Sequence, residues 1–129
     1  AKWCCEELRK EYGEDCCEAY MGETNMIDRA IAVDRFTNDP KCRFFVATSA
    51  ASKGLTLVSA HNVIYYSVGF SLMNYLQSQD RTHRIGQRHD VTYVHLMSEN
   101  TIDTKVMNAL QKKQDLASSV LDTLRSMLE

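Results

Sequence analysis

The sequence predicts an α/β fold with a mostly parallel central sheet covered by helices on both faces. Three observations predict it. The apolar runs Phe44-Phe45-Val46-Ala47 and Val63-Ile64-Tyr65-Tyr66 are continuous rather than alternating, the pattern of strands buried on both faces. Segments with apolar residues at helical spacing surround them. The order is helix, strand, helix, strand, strand, helix, strand, helix, an alternation that yields parallel pairing.

Residues 1–12 have helical composition and stop at Gly13, a residue suited to the position after a helix. Residues 16–21 form a short strand-like run. Asn25 caps a second helix, with Asp28 in its first turn. Ile27, Ala30, Ile31 and Val33 are its expected inward positions, and Asn38-Asp39-Pro40 ends it. Residues 42–48 read as a buried strand, 49–54 as a loop of small residues, and 62–66 as the next strand. Residues 72–83 lack Pro and Gly, and Leu72, Tyr75, Leu76 and Gln79 fall at helical spacing. Residues 91–97 are the fourth strand. Asn100 or Thr101 caps the last helix, whose stripe is Ile102, Val106, Leu110, Ala117, Leu121, Leu124 and Leu128.

At 129 residues the chain is long enough for one domain with its own core. Its net charge of −2 gives no global basic field, yet Arg81, His83, Arg84, Arg88 and His89 cluster locally. No apolar run is long enough to span a membrane, and no signal-peptide pattern opens the chain, so a cytoplasmic location is expected. The five cysteines include the adjacent pairs Cys4-Cys5 and Cys16-Cys17 and lack metal-ligand spacing. They read as reduced thiols, with no metal site expected. Trp3 and the tyrosines read as core and lobe surface rather than base-stacking platforms.

Two strings carry chemistry. In Gln77-Ser78-Gln79-Asp80-Arg81-Thr82-His83-Arg84-Ile85-Gly86-Gln87, a continued helix would put Gln77, Arg81 and Arg84 on one face. Two guanidiniums on one face suit a phosphate chain, because each presents planar, permanently charged donors. The competing reading is a helix end whose arginines pair with acids such as Asp80. Ala47-Thr48-Ser49-Ala50-Ala51-Ser52-Lys53-Gly54-Leu55-Thr56-Leu57 leaves a strand through small side chains, which let backbone amides approach a phosphate or ribose. A tight strand-to-helix turn is the competing reading.

The first string resembles the last conserved motif of superfamily 2 helicases, in the Asp-Arg-x-His-Arg-x-Gly-Gln form of Swi/Snf-like DNA translocases. The second resembles helicase motif V. Tyr20-Met21-Gly22-Glu23-Thr24, Asp34-Arg35-Phe36 with Asn38-Asp39-Pro40, and Thr101-Ile102-Asp103 with Lys112-Lys113-Gln114 extend the resemblance over nearly the whole chain. Asp80 is typical of the Swi/Snf-like branch. Lys53 and Thr56 depart from the motif V pattern, and Thr56 stands where an Asp or Asn often reads the ribose. Phe70-Ser71-Leu72 replaces the Trp-Asn-Pro of chromatin remodellers and points to the bacteriophage or bacterial type.

The resemblance implies a three-layer RecA-like lobe of P-loop NTPase type, residues 1–129, with its first strand missing. Residues 101–129 are then a helix packing across the lobe. It implies arginine fingers at Arg81 and Arg84, and nucleotide contacts at Gly54, Thr56, Gln77 and Asp80. It implies DNA-backbone contacts at Thr48, Ser49, Gly22 and Thr24. ATP and Mg²⁺ are held mainly by an N-terminal RecA-like lobe, since no Gly-x-x-x-x-Gly-Lys-Ser/Thr loop is present. The expected partners are that lobe and duplex DNA, with no membrane, in the bacterial host cell if the chain is phage-encoded. The expected function is the C-terminal motor lobe of an ATP-dependent DNA helicase or translocase, inactive alone. The alternative is a non-catalytic DNA- or protein-binding module.

Overall fold

The computed structural model describes residues 1–48 and 54–128. Its elements are α1 (Lys2–Tyr12), a short 3-10 helix (Glu14–Cys16), β1 (Cys17–Tyr20), α2 (Met26–Asn38), β2 (Phe44–Ala47), β3 (Asn62–Tyr65), α3 (Leu72–Gln79), β4 (Thr92–His95) and α4 (Ile102–Leu128). The order is the expected one, with the 3-10 turn added. Every strand pairing is parallel, as the continuous apolar runs predicted. The described strands pair as β1 with β2 and β3 with β4. Each pair lies in its own compact unit, one of Ala1–Ala60 with Arg81–Arg88, the other of His61–Asp80 with His89–Glu129.

In the first unit the register runs from Cys17 opposite Phe44 to Tyr20 opposite Ala47, so both strands end at the same edge. Cys5, Cys16 and Cys17 are buried there against Leu8, Ala19, Phe44 and Val46. They act as small hydrophobes, and all five cysteines are free. The Cys5 thiol donates to Cys17 Sγ at 2.8 Å. A second cluster joins Tyr20 and Leu55 to Val33, Phe45 and Leu57.

Helix α2 begins as expected, the Asn25 side chain accepting from the Asp28 N–H at 2.9 Å. Its inward face is rotated from the expected one. Ile27 and Ile31 are 73% and 51% exposed, Ala30 is exposed, and Ala32 is buried. Polar anchors set this rotation. Arg29 donates to the Met21 and Gly22 carbonyls at 3.1 and 2.9 Å, and Arg35 pairs with Glu18. Phe36 meets Phe45 with ring centroids 5.2 Å apart. Residues 29, 32, 33 and 36 thus form the covered stripe, and the isoleucines do not.

In the second unit, Asn62 to Tyr65 pair in register with Thr92 to His95. Both strands alternate between exposed and half-buried residues, so the two-faced burial expected for 62–66 is not found. The covered face is aromatic. Tyr65 stacks on His95 at 4.8 Å, and the Tyr75 hydroxyl meets His95 Nε2 at 3.0 Å. The Ser71 side chain caps α3, accepting from the Asn74 N–H. Thr101, rather than Asn100, caps α4, accepting from the Asp103 N–H at 3.3 Å. Asp103 reaches back to the Ser98 N–H at 3.1 Å. Val106 and Leu110 are buried and α4 packs against α3, but the rest of its predicted stripe (Leu121, Leu124, Leu128) is exposed.

Candidate functional site

The arginine string does not continue the helix. α3 ends at Gln79, and Asp80 is its last capping residue. Arg81 and Arg84 lie in turns beyond it, so Gln77, Arg81 and Arg84 do not share a helical face. The backbone is captured by another segment of the first unit, because the Arg81 carbonyl accepts from the Leu57 N–H at 2.9 Å. Gly86, at φ 105°, then closes a turn in which the Gln87 N–H reaches the Arg84 carbonyl at 3.0 Å.

This capture brings the two strings together. Arg81 Nη1 donates to the Leu55 carbonyl at 3.2 Å, and Arg84 Nη1 donates to Thr56 Oγ1 at 2.9 Å. Gln87 Nε2 donates to the carbonyls of Ala60 and Thr82, at 3.0 and 3.2 Å, and pins the far end. Gly54, at φ 76°, turns the chain into this segment, a conformation that side chains resist. Leu55 is buried against Tyr20, which anchors the segment to the end of β1. Arg84 is exposed and Arg81 half-buried, with Arg81 Nε buried and without a hydrogen-bond partner among the described residues. The arrangement among the described residues is therefore a pair of guanidiniums held by carbonyl and hydroxyl acceptors.

A second group sits at the carboxyl edge of β1 and β2, where parallel sheets place their ligands. The Thr48 N–H donates to the Tyr20 carbonyl at 3.2 Å. Thr24 Oγ1 accepts from the Met21 N–H at 3.3 Å, closing a turn that exposes Gly22. Gly22 and Thr48 line one open cavity of about 540 Å³. Ser49 and Lys53 lie outside the described residues. Gln77 is half-buried on α3 and Asp80 exposed at its end, both in the second unit.

Sequence reasoning missed the Leu55 carbonyl and the clamping role of Gln87. Gln87 closed the recognised string, but a backbone acceptor has no sequence signal. His61 and His95, isolated in the sequence, are packed. His61 meets His89 with ring centroids 4.3 Å apart, and His95 joins the tyrosines.

The family model described as the helicase conserved C-terminal domain matches residues 1–86. The chain belongs to the helicase C-terminal domain family. Helicase SWR1 of Gibberella zeae is 38% identical over 101 residues, which is 78% of this chain and 6% of that protein. Helicase SWR1 of Candida glabrata is 35% identical over 101 residues, covering 78% of this chain and 7% of that protein. The chain thus spans less than a tenth of the length of these relatives. Among solved structures, the C-terminal part of the Fun30 ATPase domain matches with a TM-score of 0.73 and 27% identity, over 81% of this chain and 34% of that one.

The helicase C-terminal lobe of superfamily 2, Swi/Snf-like kind, expected from residues 77–87 therefore stands, as does its α/β RecA-like fold. The bacteriophage or bacterial branch suggested by Phe70-Ser71-Leu72 does not. These relatives are fungal, and the bacterial host location falls with it. Among the described residues no helix is long and apolar enough to cross a membrane.

Proposed function

We propose that this chain is the C-terminal motor lobe of an ATP-dependent DNA translocase. The observation that carries the reading is the seating of the arginine turn on the Gly54–Leu55–Thr56 segment, with Arg84 and Thr56 polar atoms 2.9 Å apart and exposed. Arg84, exposed beside Thr56, is the group that can meet a phosphate, with Arg81 half-buried on the Leu55 carbonyl. ATP is the substrate, cradled by a partnering N-terminal lobe. The Mg²⁺ that neutralises the phosphates is held mainly by that lobe as well.

When the lobes close, Arg84 and Arg81 donate to phosphoryl oxygens that gain charge at the transition state. An arginine so placed accelerates turnover by on the order of 10³–10⁵. Thr56 orients Arg84, and Gly54 keeps the backbone open beside the nucleotide. The family resemblance adds Gln77 and Asp80 as nucleotide contacts. Gly22, Thr24, Thr48 and Ser49 hold the phosphate backbone of duplex DNA, a contact that positions without reading sequence. Closure and opening then move this edge along the backbone. The exposed stripe of α4, including Leu116, Val120, Leu121 and Leu124, is the surface that residues 101–129 offer to the rest of the motor.

One observation favours a second reading. Both guanidiniums already have acceptors within the chain, as struts of a non-catalytic binding module would. Joining the chain to a nucleotide-binding lobe separates the two. The motor reading expects DNA-stimulated ATP hydrolysis. A two-lobe protein that binds DNA and ATP without turnover supports the module.

A further inference from the structure

The proposed motor uses none of the five cysteines, yet two of them meet. Cys5 on α1 and Cys17 at the start of β1 hold their sulfur atoms 2.8 Å apart, against about 2.05 Å in a disulfide. Both thiols are free, and they are 3% and 0% exposed. The approach is built into the packing. Arg9, one turn beyond Cys5 on the same face of α1, donates to the Cys17 carbonyl through Nε at 3.2 Å and through Nη2 at 2.7 Å. This clamp fixes the register of α1 on β1, and with it the meeting of the two sulfurs.

The other thiols are turned elsewhere. Cys16 donates to the Leu8 carbonyl at 3.4 Å, Cys42 donates to the Phe44 carbonyl at 3.8 Å, and Cys4 is exposed. Burial pushes the Cys17 thiol up, so it stays protonated while the lobe is closed. A thiol in that state is inert towards oxidants. Reaction therefore waits for α1 to lift from β1, a local opening that needs no global unfolding. When α1 settles back, the two sulfurs meet again.

We infer that Cys5 and Cys17 are a reversible modification site for low-molecular-weight disulfides, whose reaction staples α1 to β1. The Cys5 thiolate attacks one sulfur of the oxidant and releases the other as a thiolate, leaving a mixed disulfide on Cys5. The Cys17 thiolate then attacks Cys5 Sγ, forms the Cys5–Cys17 bond and releases the second small thiolate. Two electrons pass from the protein pair to the oxidant, and the two protein thiol protons end on the two released thiols. An excess of small thiol runs the same steps backwards.

The chain is equilibrated in mixtures of reduced and oxidised glutathione, once folded and once in concentrated urea, and the remaining thiols are trapped by alkylation. Mass spectrometry of proteolytic fragments then quantifies the Cys5–Cys17 link. A staple that fits the native fold should raise the equilibrium constant for its formation on the order of 10²-fold in the folded chain over the urea-unfolded one. By linkage the oxidised chain should unfold at a higher urea midpoint, and dithiothreitol should return it to the lower one. Cys17→Ser should abolish the link, whereas Cys4→Ser and Cys16→Ser should keep it. The comparison of folded and unfolded parent chain decides whether or not Cys17→Ser folds. Equal constants in the two states, a link through Cys4 or Cys16 instead, or mixed disulfides with glutathione alone would overturn the inference. Neither ATP nor DNA enters the measurement, so its outcome is independent of the motor proposal.

Discussion

Replacing Gln87 by Ala tests how the arginine turn is held. The Gln87 amide donates to two carbonyls, Ala60 at 3.0 Å and Thr82 at 3.2 Å, from a half-buried position. Each such bond contributes about 0.5–1.5 kcal/mol net, and the two acceptors left behind are partly shielded from water, so the loss should be about 1–3 kcal/mol. That is a sizeable share of a stability on the order of 5–15 kcal/mol. Gln87→Glu should cost more, because a carboxylate faces two carbonyl oxygens and donates to neither. Urea unfolding reads the loss as a lower midpoint at unchanged slope. Amide exchange adds a local readout, because the Leu57 N–H, bonded to the Arg81 carbonyl at 2.9 Å, should lose protection. An unchanged midpoint together with an unchanged Leu57 exchange rate would show that Gln87 does not hold the turn.

Leu110 is 2% exposed on α4, so Leu110→Ala should cost about 2–5 kcal/mol in urea unfolding, whereas Leu124→Ala, on the exposed half, should cost far less. Burial pushes the thiols of Cys17 and Cys42 and the phenols of Tyr65 and Tyr75 up. The unfolded thiols titrate near pH 8.5 and the phenols near 10. Above those values the unfolded chain sheds protons that the folded chain keeps, so this stability is whole below about pH 8 and declines as pH rises. Melting temperature in reducing buffer should therefore fall steadily through the alkaline range, and a flat profile would contradict the burial of these groups. The chain alone should hydrolyse no ATP, since its sequence lacks a triphosphate cradle, and a phosphate-release assay at a normal motor rate would refute that.

Much of the fold is legible in residue order. The run Phe44 to Ala47 forms a parallel strand, and Asn25 caps α2 on its own side chain. Pro40 falls in the turn after α2. These are local effects, set within a few residues. The errors arise where distant groups decide. Nothing local stops a helix at Gln79, because residues 72–83 lack Gly and Pro; the Leu57 N–H takes the Arg81 carbonyl and the chain turns. The face of α2 is chosen by Arg29 and Arg35 reaching strand and turn acceptors, over the apolarity of Ile27 and Ile31. The site divides in the same way. The motif strings picked out Thr56, Arg81 and Arg84, and the structure joins them, but by backbone capture rather than by a helical face.

The central claim is that Arg84 acts on the transferred phosphoryl group. The most direct measurement is DNA-stimulated ATP hydrolysis and nucleotide binding by a protein joining this chain to a nucleotide-binding lobe, with Arg84→Ala and Arg81→Lys beside the parent. A finger acts on transition-state charge, so kcat should fall by on the order of 10³ or more while nucleotide affinity changes little. A near-normal kcat for Arg84→Ala, with the protein folded and DNA bound, would contradict the account and leave Arg84 as a strut on Thr56.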